Sequence, residues 1–142
     1  MSLKNPYPNA NFVPEYQISG VPYVTASAGA EVTSQDSPVR LDFPEVTRWL
    51  VIYNSGTQGL RVGFSANGAR GVDTHNYFVV KAGETTPRLE LRCKTLYFTK
   101  DTATNVPFNV IAGLTRIRSA DFPTLTGSLS GSINRQILGG VG

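Results

Sequence analysis

One histidine and one cysteine limit the chemistry open to this chain. His75 lies in Gly71-Val-Asp73-Thr-His75-Asn76, and Asp73 and His75, two positions apart, would share one face of a strand. A metalloenzyme barrel needs several histidine and carboxylate ligands converging on one ion. Two ligands are too few, so no metal site and no cofactor are expected, and His75 reads as a loop residue. Cys93 with His75 would make a thiol nucleophile and its base. Cys93, however, shares an apolar face with Leu89 and Leu91, the pattern of a small buried hydrophobe. Serines are plentiful, yet no Gly-x-Ser-x-Gly elbow occurs. The carboxylate pairs Glu84 with Glu90 and Asp42 with Glu45 have the residue types of a glycosidase. They read equally well as solvated strand ends. The glycines from Gly56 to Gly71 lack the Gly-Lys-Ser/Thr ending of a phosphate loop and open no helix. No catalytic residue and no small-molecule substrate are therefore expected. Arg88, Arg92 and Lys94, with Arg116 and Arg118, could stripe one sheet face with positive charge. No aromatics interleave with them to stack bases, so nucleic acid is not an expected partner.

The elements that would position these groups are short β-type runs separated by turn chemistry. Val21 to Val24 is apolar and interrupted by Pro22, which suits a sheet edge. Val39, Leu41 and Phe43 alternate with Arg40 and Asp42. Trp49 to Tyr53 is continuously apolar, as in a strand covered on both faces. Leu60, Val62 and Phe64 alternate with Arg61, Gly63 and Ser65, and Tyr77 to Val80 is a further apolar run. Leu89, Leu91 and Cys93 oppose Arg88, Glu90, Arg92 and Lys94. Leu96 to Phe98 follows in the opposite phase, which places a bulge or turn near Lys94. Phe108, Val110, Ala112 and Leu114 alternate with Asn109, Ile111 and Gly113. Asn54 to Gly56, Ser65 to Gly68, Lys81 to Gly83 and Asp101 to Asn105 carry the turns between runs. The predicted core is Val39, Leu41, Trp49, Val51, Leu60, Val62, Phe64, Leu89, Leu91, Phe108 and Val110. The only helical start signal, at Asp42 to Glu45, supports one turn at most.

Eight short antiparallel runs predict an all-β fold, an eight-stranded β-sandwich. The single jelly roll is its commonest eight-stranded form, with an immunoglobulin-like sandwich as the alternative. The domain spans residues 1–142, with its core over about 21–118 and extended arms at residues 1–20 and 121–142. Charged residues are 16% of the chain, against roughly 25% in soluble domains. A subunit interface is the simplest replacement for the missing charge. Five basic residues face six acids up to Val80, and eight face four beyond it, so the second half is the basic one. A lone cysteine forms no internal disulfide. No signal-peptide core or membrane-spanning run is apparent, so a soluble intracellular protein is expected.

The runs Trp49 to Asn54, Leu60 to Gly68, Asn76 to Phe78, Leu89 to Leu91, Leu96 to Phe98 and Val110 to Thr115 carry a resemblance. In hydrophobic and glycine patterning over about Val46 to Thr115, the chain resembles the penton (vertex) capsid proteins of large icosahedral double-stranded DNA viruses of eukaryotes. Similar patterns occur in phage decoration and fibre-head proteins. The resemblance implies a single jelly roll, five copies at each vertex, set among major and minor capsid proteins. It further implies a structural, non-enzymatic protein made in the host cytoplasm and located in the virion. It supplies no catalytic or ligand residue. A receptor- or glycan-binding head, or a decoration or minor capsid protein, is the other reading of such a sandwich. A ring of five closes only through heterologous contacts. For one side of that contact the sequence offers Arg88, Arg92, Lys94 and the out-of-phase apolar residues Leu96, Phe98, Ile111 and Ile117. For the other it offers the acids Asp36, Asp42 and Glu45.

Overall fold

Residues with β-branched and aromatic side chains at a period of two form pleated strands, and the alternating runs do so here. A computed structural model describes residues 10–11, 13–17, 20–26, 37–71, 75–102, 105–126, 135–137 and 141. Among them the order is α1 (Val13–Gln17), β1 (Val21–Ala26), β2 (Val39–Asp42), β3 (Glu45–Asn54) and β4 (Leu60–Gly63). There follow α2 (Ala66–Arg70), β5 (Tyr77–Val80), β6 (Thr95–Lys100), β7 (Phe108–Arg118), a 3₁₀ turn (Ser119–Asp121), β8 (Thr124–Thr126) and β9 (Arg135–Ile137). The fold is all-β. One antiparallel sheet has the order β1-β7-β3 and the other β2-β6-β4-β5, while β8 and β9 pair in parallel.

The two antiparallel sheets enclose one core. Leu50 and Ile52 of β3, Leu60 and Val62 of β4, Leu96 and Phe98 of β6, and Phe108, Val110 and Ala112 of β7 are buried in a single cluster. Val39, Leu41, Phe64 and Leu89 pack partly buried against it, and Leu91 is half-buried. A second, smaller cluster joins Val46, Ile117 and Phe122, with Ala10 and Leu125 packed on it.

Trp49 and Val51 are a correction. The sequence reading put them in the core, but Leu50 and Ile52 point inward instead. A continuously apolar run has no alternation to fix its phase. The phase is set by register shifts between Glu45 and Thr47 and between Thr47 and Trp49. The indole of Trp49 then lies over Gly113 on the outer side of the sheet, where a Cβ on Gly113 would collide with it. That close approach explains a glycine in the middle of a strand.

The run Leu89 to Cys93 is also corrected: it is no regular strand. Residues 84–93 follow the open side of β3 antiparallel to it, touching at isolated bridges, Leu50 with Leu89 and Tyr53 with Thr85. Backbone bonds continue from Asn54 N to Glu84 O (3.0 Å) through Leu89 N to Leu50 O (2.8 Å) to Thr47 N and Cys93 O (2.9 Å). Pro87 has no N–H to give this ladder. Near the break the Thr86 hydroxyl accepts from Ile52 N at 3.0 Å. The chain then bends at Lys94, and this bend turns both Cys93 and Leu96 inward.

Three further points concern helices and arms. Ser65 to Gly68 starts α2, because the Ser65 hydroxyl accepts from Gly68 N at 3.0 Å and caps the helix. Asp42 to Glu45 is the bend between β2 and β3, with no helical turn. In the arms, which offered no periodicity, α1 and the β8–β9 pair appear. The last carbonyl of α1, Gln17 O, accepts from Arg48 Nη2 at 3.0 Å.

Thr47 and Cys93 form a buried polar contact inside the core. Thr47 Oγ1 donates to Leu91 O (2.6 Å) and accepts from Cys93 N (3.0 Å), and lies 3.4 Å from Cys93 Sγ. Burial pushes the Cys93 thiol up to about 11, with the Thr47 hydroxyl acting in the opposite direction. The unfolded thiol ionises near its ordinary value of about 8.5. Between these values the unfolded state binds fewer protons than the folded one, so stability falls as pH rises. We expect a loss on the order of 2 kcal/mol between about pH 8.5 and pH 11 that Cys93→Ala does not show. Urea melts across that range would check it, and an identical slope in both proteins would refute it.

Candidate functional site

Strand register decides which side chains share a face, and it assembles one surface no single run displays. Across β1, β7 and β3, the outward rows are Pro22–Gly113–Trp49, Val24–Ile111–Val51 and Ala26–Asn109–Tyr53. The intervening rows, such as Tyr23–Ala112–Leu50, face the core. Of the nine outward residues only Asn109 has a side-chain amide, and none is charged. Val24 is 69% exposed, Ile111 44% and Tyr53 39%. This face therefore presents apolar and uncharged side chains, part of them open to solvent and part half-buried or buried. Arg88 lies over the Trp49 ring at 5.4 Å from its centroid and pairs with Glu90 at 2.8 Å, bordering the patch with charge.

The residues singled out from the sequence divide unevenly. Ile111 sits at the centre of this face and Arg88 at its rim. Leu96, Phe98 and Ile117 are corrections, being 1%, 0% and 0% exposed. They belong to the chain's own packing and offer nothing to a neighbour. Arg92 is exposed. Lys94 is half-buried: its Nζ donates to Ser119 O (3.2 Å) and Phe122 O (2.7 Å), tying the start of β6 to the chain after β7. Glu45 opens β3 opposite Arg118. Asp42 accepts from Arg40 Nε (2.9 Å) and Thr95 Oγ1 (2.9 Å). Asp36 lies outside the described residues.

The expected separation of basic and acidic patches does not hold. Asp42 and Lys94 line the same small cleft with Arg40 and Thr95. Charges distant in sequence meet there because β2 and β6 pair, Asp42 opposite Thr95. Sequence reasoning missed Val24, Val51 and Tyr53 as surface residues. The interruption by Pro22 marked β1 as an edge, but no signal told which face of β3 would be covered.

His75 is exposed, its ring 6.2 Å from that of Tyr77, while Cys93 is 1% exposed inside the core. Among the described residues, no three His, Cys, Asp or Glu side chains come together as metal ligands would.

The C-terminal arm returns to the body at α2. Ser65 Oγ donates to Val141 O at 2.6 Å, and Val141 is 4% exposed. A Cβ at position 68 would fall on that same carbonyl, so only glycine allows this approach. We expect Gly68→Ala to dislodge Val141 while leaving the sheets folded. Limited proteolysis would then cut the arm at least about tenfold faster, as a local opening and not a global one. Unchanged cleavage in a folded variant would refute this.

No family model, curated protein or solved structure matches the chain.

Proposed function

We propose that this protein is a structural building block, a single jelly roll that forms the vertex of an icosahedral virus shell as a ring of five. It acts by assembly and not by catalysis, in contact with further copies of itself and with other capsid proteins. The observation that carries this reading is the uncharged outer face of β1, β7 and β3, with Val24, Ile111 and Val51 in one row across it. A shell protein must cover such a face with a neighbour.

Strand order supports the jelly-roll part of the reading. With residues 84–93 counted beside β3, the sheets become β1-β7-β3-(84–93) and β2-β6-β4-β5. Going along the chain, β1, β3, 84–93 and β7 fall in the first sheet, and β2, β4, β5 and β6 in the second. Four-plus-four alternation of this kind is what two interlocked Greek keys produce. The patterning resemblance to vertex proteins supplies the five-fold part. Five copies close a ring only if the apolar face meets a different patch on the next copy.

A capsid reconstruction tests the proposal. Density for this chain at the five-fold vertices is the expected result. Density only at positions away from them would overturn it.

A further inference from the structure

On the opposite sheet from the apolar face, Arg40, Phe64, Ser65, Lys94, Thr95, Tyr97, Thr124 and Leu125 line a cavity of about 410 Å³. The cavity forms where β2 pairs with β6, Arg40 opposite Tyr97, and where the segment Thr124–Thr126 passes by. We propose that this cavity binds an oxyanion, a carboxylate or phosphate at the end of a larger, partly apolar molecule.

Three observations converge on that chemistry. First, the described lining holds two cations and no carboxylate. Asp42 stands in the adjoining cleft and offsets one of the two charges, leaving one in excess. Second, both cations keep donors in reserve. Arg40 meets Asp42 through Nε, and its terminal nitrogens make no hydrogen bond among the described residues. They form the planar fork that grips an oxyanion at two points. The Lys94 ammonium has three donors and gives two of them to neutral carbonyls, Ser119 O and Phe122 O. Third, the two cations repel each other. Burial first, and then the nearby Arg40 charge, hold the Lys94 pKa below its ordinary value, with Asp42 acting against them. An anion between the two side chains relieves that repulsion.

The volume and lining define the rest of the ligand. A single oxyanion fills only a small part of the cavity, which lies within the range of small-molecule sites. Phe64, Leu125 and the Tyr97 ring offer apolar contact, and the Thr124 hydroxyl is a neutral hydrogen-bonding group, while Thr95 Oγ1 gives its proton to Asp42 and can only accept. The oxyanion could come from a free molecule or from an acidic side chain of a second copy. The site is independent of the vertex reading.

The test is a titration of the full-length protein, followed by amide NMR at constant ionic strength, with inorganic phosphate and with glutarate as probes. The expected result is saturable shifts confined to residues lining the cavity, with a dissociation constant of about 1 mM or tighter. Arg40→Gln should weaken binding at least about tenfold, and Arg40→Lys, which keeps the charge but loses the fork, by an intermediate factor. Lys81→Gln, at the turn after β5, removes the same charge elsewhere and should change binding less than about twofold. Retained amide dispersion shows that each variant is folded. Linear, dispersed shifts with both probes, or equal weakening by Arg40→Gln and Lys81→Gln, would overturn the proposal. A protein dilution series without probe identifies the source. If the cavity resonances move with protein concentration, a second copy supplies the carboxylate; if they stay fixed while a probe binds, the ligand is a free molecule.

Discussion

Phe98→Ala is expected to cost the protein about 3–5 kcal/mol of stability. Phe98 is 0% exposed and stacks on Phe108, the rings 4.2 Å apart at an interplanar angle of 21°. It lies on β6 between Val39 of β2 and Val62 of β4, so three strands close around it. Truncation removes the transfer free energy of the ring and leaves a hole that flanking strands fill only in part. It also removes an aromatic pair worth about 0.5–1.5 kcal/mol beyond its area. Set against the roughly 5–15 kcal/mol that holds an ordinary domain together, the loss is severe. Thermal melts should show the midpoint falling by roughly 10–20 °C. A change below about 1 kcal/mol would contradict the place of Phe98 at the centre of the core.

The second large effect concerns assembly alone. Val24 and Ile111 are direct partners across β1 and β7 on the outer face. Replacing them together, Val24→Lys with Ile111→Glu, puts opposite charges opposite each other. The pair offsets much of the intrinsic cost, so the isolated chain should keep its stability within about 1 kcal/mol. If the face docks on a neighbour, both charges must be stripped of water in the contact. A penalty of about 3 kcal/mol or more weakens association by at least about a hundredfold. Native mass spectrometry and particle reconstitution would read this directly. Assembly at the wild-type level by a folded double variant would remove this face from the proposed contact. It would leave the oxyanion cavity on the other sheet untouched, so the two proposals fail separately.

Much of the fold was legible because alternation is a local property. The run from Val39 to Phe43, the alternation of Leu60 and Val62, and that of Phe108 and Val110 each name their own buried face through the pleat. All three became strands with those residues at or in the core. Cys93 is buried as its apolar neighbours suggested, although the run that carries it is no regular strand. The candidate interface was far less legible. Leu96, Phe98 and Ile117 looked exposed only by extrapolating one phase through the bend at Lys94 and along an eleven-residue strand.

Sequence by itself determined the class of the molecule: β-type runs, turn residues between them, sparse charge, and one histidine with one cysteine. Those are matters of composition and nearest neighbours, which a linear chain states outright. Tertiary structure alone decided which way Trp49 and Leu50 point, because a run apolar on both sides fits either phase and register shifts made the choice. It alone brought Val24, Ile111 and Val51 into one row, and Arg40 to Lys94 across one cavity. The physical reason is that surfaces are made by pairing strands far apart in the chain, and pairing depends on register, which short-range pattern leaves undetermined.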